Sequence, residues 1–225
     1  MSVDTLITNC HIVNHDGILD AGVAINKGKV IAIAKDQNLP AAQNTINGKG
    51  NYLIPGVVDA HVHLEYPPGV DAKTNVTRET QACAVAGCTT IVHLLAPADD
   101  ILEKAGEFIG FYEKHAFVDL ALSARIYNRD NIKQIRNLYD YGIINYKLLL
   151  PYKGSEAVWK GRVGGIDDGI IYLTFKEVSR LAKEGRKAFV RVHCENAEIF
   201  FQIKEAFLDD GVEPSSWDEV RPRVC

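Results

Sequence analysis

From Tyr52 onward the sequence alternates short, β-branched apolar runs with helical stretches, and this alternation most narrows the folds open to the chain. Val57–Val62, Thr89–Leu95, Val118–Ala124, Ile143–Leu150 and Ala188–Val192 read as strands. Thr77–Ala86, Ile101–His115, Asp130–Tyr141, Phe175–Glu184 and Ala197–Leu208 read as the helices that follow them. Gly87 and Gly142 close two of these helices, and Thr174 is placed as the N-cap of the fourth. Strands that are apolar along their whole length are covered on both faces, as in a parallel sheet flanked by helices. A doubly wound open sheet and a (β/α)8 barrel both satisfy five consecutive βα units. No GxGxxG or GxxxxGK[ST] loop follows any strand, so nucleotide binding of those kinds has no support.

The first 53 residues have a different grammar. TLITNCHIV, AGVAIN and KVIAIA read as about three antiparallel strands, with turns at Asp16-Gly17 and Lys27-Gly28. Such a module is too thin to hold a core alone. The sequence therefore predicts two units: 1–53, part of a small composite β-sandwich, and 54–225, the βα repeats. With 29 acidic against 25 basic residues and no basic block, the chain lacks the footprint of a nucleic-acid binder. Its apolar runs fall short of the roughly 18 residues of a membrane span, and its N-terminus lacks a secretory core, so a cytoplasmic protein is expected. Five cysteines without a CxxC pair point to reduced thiols. The partner that these features leave is a small molecule or another protein. A Gly-rich, charged stretch, Pro151–Ile171, reads as a long functional loop.

Three strand ends carry chemistry. His61 and His63, in IPGVVDAHVHL, are two apart on a strand, so both imidazoles leave one face and can converge on a single ion. Lys147 lies within INYKLLLPY among apolar neighbours. It either snorkels to the strand end or sits as a neutral amine, which carbon dioxide converts to an anionic carbamate ligand. His193 ends FVRVH, where a lone histidine is either structural or a ligand. In a barrel, all three would meet at the C-terminal rim, where active sites are built. His93 could line the same mouth or pack in the core; His11, His15 and His115 are assigned to structure or solvent.

These runs, with AVAGCTTIV and VRVHCENAEI, resemble in family order the cyclic amidohydrolases of the amidohydrolase superfamily, most closely the dihydropyrimidinase and hydantoinase branch. The resemblance implies a (β/α)8 barrel holding two divalent metal ions, usually zinc. His61 and His63 would bind one, His193 the other, and an N6-carboxylated Lys147 would bridge them. It further implies hydrolysis of a ring C–N bond in a cyclic amide substrate by activated water, with Tyr152 contacting the substrate near the reacting carbonyl. Glu65 stands where dihydroorotases carry arginine and allantoinases asparagine, which favours a neutral ring such as a dihydropyrimidine or hydantoin. The family pattern continues past residue 225 to a histidine on a sixth strand and an aspartate on an eighth. The expectation is therefore a barrel truncated after about five βα units, inactive as the isolated chain and homotetrameric when complete. The alternatives are a non-catalytic dihydropyrimidinase-related interaction protein, an allantoinase or a dihydroorotase.

Overall fold

A computed structural model describes residues 2–64, 70–95, 99–151 and 166–223. The chain forms two compact units, Met1–Gly56 and Val57–Cys225. In the first, β1 (Val3–Asn14) pairs antiparallel with β2 (Gly17–Asp20) and β3 (Gly22–Asn26), and β3 pairs with β4 (Lys29–Ala34). A fifth strand, β5 (Ala42–Leu53), runs parallel to β1. The module is thus one mixed five-stranded sheet instead of about three antiparallel strands. The sequence hid β5 because AQNTINGKGNYL is polar and mostly exposed, with no alternating apolar face. Lys27 and Gly28 both take positive φ, 51° and 70°, and close the β3–β4 hairpin as a tight turn.

In the second unit, β6 (Val57–Val62), β7 (Cys88–Leu94), β8 (Asp119–Arg125), β9 (Asn145–Leu149) and β10 (Phe189–His193) form one parallel sheet in sequence order. The connecting helices are α1 (Ala72–Val85), α2 (Ile101–Tyr112), α3 (Arg129–Asp140) and α4 (Asp168–Lys183), and α5 (Ala197–Asp209) and α6 (Trp217–Val220) follow β10. Each of α1 to α5 starts on an Asp or Asn, residues 71, 100, 128, 167 and 196, whose side chain accepts a backbone N–H of the first turn. Thr174 is not a cap. The fourth helix begins seven residues before Phe175, and Thr174 is buried inside it with its hydroxyl donating to the Ile170 carbonyl at 2.8 Å. The cap is Asp167, and the adjoining Asp168-Gly169 pair disguised the first turn as loop.

Alternation divides each strand between a helix-facing and a concave side. On β9, Tyr146 and Leu148 are fully buried, and the Tyr146 hydroxyl lies 3.0 and 2.8 Å from the carbonyls of Ile135 and Ile143. Asn145, Lys147 and Leu149 take the opposite side. The sheet is curled: the guanidinium of Arg191 on β10 donates to the Ala60 carbonyl on β6, the opposite edge strand. A flat sheet would hold those strands about 19 Å apart, four spacings of ~4.8 Å, beyond the reach of one side chain. Ile135, Leu138 and Leu181 are fully buried in the layer between helices and sheet.

Leu138→Ala opens a cavity in that layer and is expected to lower stability to urea by about 2–5 kcal/mol. Leu208→Ala, at a residue 67% exposed, should stay within about 0.5 kcal/mol. Equal effects would mean that the helix layer is not packed as described.

Candidate functional site

The concave side of the sheet repeats polar residues at a period of two: His61 on β6 and His63 just past its end, Ser123 and Arg125 on β8, Asn145 and Lys147 on β9, Arg191 and His193 on β10. At the exit of β6 the Nε2 atoms of His61 and His63 stand 3.0 Å apart, so both imidazoles point at one spot. The Asp59 carboxylate accepts the His61 backbone N–H at 3.1 Å, and the Leu64 N–H donates to His93 Nδ1 at 3.2 Å, fixing the chain on both sides of the pair. Burial, then the positive charges of Arg191 and Lys147, pushes His61 down to about 4. Burial, Arg125 and Lys147 lower His63 as well. Imidazoles held neutral in this way are in the form that ligates metal.

Lys147 is 6% exposed, and burial, followed by Arg191 and Arg125, holds its ammonium below the ordinary range. Its side chain is buried on the concave side and does not reach solvent by snorkelling. Its nearest neighbours across the sheet are Arg125 on β8 and Arg191 on β10, at the same register. His193 lies on the same face, two residues nearer the C-terminal rim, opposite Leu149. Its Nε2 is 3.1 Å from Glu195 Oε2, which leaves Nδ1 as the nitrogen available to a ligand. Glu195 is held in turn by Arg221 at 2.6 Å, whose guanidinium is sandwiched between Phe200 and Trp217 at 4.5 and 4.3 Å.

Among the described residues no three His, Cys, Asp or Glu side chains gather closely enough to hold one ion. The structure therefore brings His61 and His63 together, places Lys147 and His193 on their face, and keeps His193 on Glu195. Tyr152, Glu65 and most of the long loop after β9 lie outside the described residues. His93 does not line the mouth. Its register with Leu122 turns it to the helix side, where it is fully buried and stacks on Phe108 at 4.3 Å. Arg125, Arg191, Glu195 and Arg221 were missed as site residues. For the first two a signal existed, since ALSAR and VRVH carry polar residues at the same period of two as the histidines.

No protein-family model matches the chain. Its relatives are hydantoinases, dihydropyrimidinases, allantoinases and a dihydroorotase. The L-hydantoinase of Paenarthrobacter aurescens is 29% identical over 232 residues, which span 97% of this chain and 46% of that protein. Dihydropyrimidinase 2 of Caenorhabditis briggsae is 27% identical over 225 residues, 96% of this chain and 41% of the relative. Among solved structures, the L-hydantoinase (dihydropyrimidinase) of Arthrobacter aurescens superposes with a TM-score of 0.83 at 26% identity, covering 98% of this chain and 47% of its own. The chain thus spans about half the length of the relatives it matches. Among the described residues no helix is long and apolar enough to cross a membrane.

Burial lowers His93 to about 4, against ~6.5 in the unfolded chain. Between those values the unfolded chain takes up a proton that the folded one does not, so stability is intact above about pH 6.5 and is lost as pH falls through about 4. The loss from this residue is on the order of 3 kcal/mol. His93→Gln keeps an acceptor for Leu64 and cannot titrate. Urea midpoints measured from pH 7 to pH 4 should fall less steeply in the variant; parallel curves would remove His93 as the cause.

Proposed function

We propose that this chain carries part of the active site of a metal-dependent cyclic amidohydrolase, which cleaves a ring C–N bond in a dihydropyrimidine- or hydantoin-type cyclic amide. The single observation that carries this is the convergence of the His61 and His63 Nε2 atoms, 3.0 Å apart, on the face that also bears Lys147 and His193. Relatives named as hydantoinase, dihydropyrimidinase and allantoinase support it. The donor set suits two divalent ions, zinc by the softness of its imidazoles. His61 and His63 would hold one, His193 the other through Nδ1, and Lys147, N6-carboxylated, would bridge them. The ions would supply an activated water at neutral pH and polarise the amide carbonyl.

The protein's own part is to keep the ligands in the right state. Burial and neighbouring cations keep His61 and His63 unprotonated. Glu195, locked by Arg221, accepts from Nε2 of His193 and so fixes its tautomer. Tyr152 would touch the substrate. In this proposal the five units belong to a (β/α)8 barrel, the first unit to a β-sandwich, and the whole protein is a cytoplasmic homotetramer that binds neither nucleic acid nor membrane. A non-catalytic, assembly-forming relative would have no chemical need to keep the convergent histidine pair.

The test is metal content together with hydrolysis of hydantoin and 5,6-dihydrouracil, in the protein at its natural length purified from zinc-supplemented culture. Zinc should copurify, and the double change His61→Asn, His63→Asn should reduce both zinc affinity and turnover by at least about 100-fold. Full turnover after removal of all metal by a chelator would refute the proposal.

A further inference from the structure

At the opposite end of the sheet from the histidines, a cysteine stands on each side of the turn that joins α1 to β7. Gly87 takes a positive φ of 81° and reverses the chain, so Cys88, the first residue of β7, returns beside the last turn of α1. On that helix Val76, Thr80 and Cys83 follow one another at the spacing of a single face. This face packs on the sheet: Val76 and Thr80 are fully buried, and Cys83 lies against the same core that contains Cys88. The Cys88 thiol donates to the Thr90 carbonyl at 3.3 Å, which leaves its sulfur to accept from Cys83, and the two thiols are in hydrogen-bond contact. Cys88 is buried, whereas Cys83 is half-buried beside the exposed Ala84, Ala86 and Gly87, so the pair opens to solvent on the Cys83 side. Cys88 pairs with Val57, four residues before His61, which puts the thiols about 13 Å along the strands from the histidine pair at ~3.3 Å per residue.

The surroundings select what such a pair can hold. Structural zinc takes four ligands, and among the described residues no three His, Cys, Asp or Glu side chains gather. Burial, followed by Cys88, Asp59 and Glu79, pushes the Cys83 thiol up, and a thiol kept protonated is a poor nucleophile toward peroxide. Those two acids also disfavour any complex that adds negative charge to the site. A soft ion that prefers linear coordination would draw the sulfurs to opposite sides of itself. A pyramidal centre instead takes them at adjacent corners, the separation of two sulfurs already in contact. We propose that Cys83 and Cys88 form a two-sulfur chelating site for trivalent arsenic, bound as an organoarsenical. From an arsenoxide, two As–S bonds form, the As–O double bond breaks, and the oxygen leaves as water with both thiol protons. Arsenic stays trivalent, no oxidant or reductant is consumed, and the product is neutral. The site shares no residue with the proposed metal centre and does not depend on the function proposed above.

The folded, reduced protein at its natural length is incubated with one equivalent of phenylarsine oxide in excess mercaptoethanol, a monothiol that strips singly held arsenic. The adduct is then located by intact and tryptic-peptide mass spectrometry. One phenylarsenic group should remain on the peptide 79–104, which holds both cysteines and no other, and dimercaptopropanol should remove it. Cys83→Ala and Cys88→Ala should each weaken retention by about 100-fold or more, since the second thiol otherwise acts at the effective concentration of an intramolecular partner. Cys194→Ala should leave retention unchanged. Arsenic retained on a different peptide, no retained adduct, or retention untouched by both alanine changes overturns the proposal. The peptide map is made on the unaltered protein, so it decides the matter even where a variant fails to fold.

Discussion

The in-register pairing of β8, β9 and β10 is the constraint on which the site depends. It sets Arg125, Lys147 and Arg191 at one level and carries His193 two residues further toward the rim. A slip of one residue along β9 would bring Tyr146 or Leu148 to the concave face and turn Lys147 toward the helices. Such a slip is resisted by the opposite side of the same strand, where Tyr146 and Leu148 are fully buried and the Tyr146 hydroxyl reaches the carbonyls of Ile135 and Ile143. Hydrophobic packing on one face therefore fixes the chemistry on the other.

That division of labour explains why so much polar and cationic character is tolerated within the sheet. The apolar residues between helices and strands supply the burial, and the concave side is released to carry imidazoles, a lysine and two guanidiniums. The cations do more than fill space. After burial, which is the larger cause, they push His61, His63 and Lys147 below their ordinary proton affinities. At the opposite edge strand, Arg221 and Glu195 hold His193 by a different means, a charged hydrogen bond buttressed by two aromatic rings.

The five strands and their helices were legible because their apolar residues are contiguous, and the bounds of β6 came out residue for residue. His61 and His63 were legible because strand alternation alone puts neighbours two apart on one face. β5 was not, since a parallel strand held by backbone bonds, and bulged at residues 48–50 opposite Asn9 of β1, needs no apolar pattern of its own. The start of α4 was hidden by Asp168-Gly169 in its first turn, and the outward turn of His93 depends on register with β8, which no local pattern encodes. The arginines on the concave face escaped because arginine is ordinarily a surface residue; only its period of two with a histidine or serine betrayed it.

X-ray absorption at the zinc edge of the zinc-loaded protein tests the central claim most directly. A centre built on the His61–His63 pair predicts nitrogen and oxygen scatterers at about 2.0–2.1 Å with imidazole outer-shell scattering, the latter reduced in His63→Asn. Zinc coordinated by sulfur at about 2.3 Å, or a spectrum unchanged by that substitution, would contradict it.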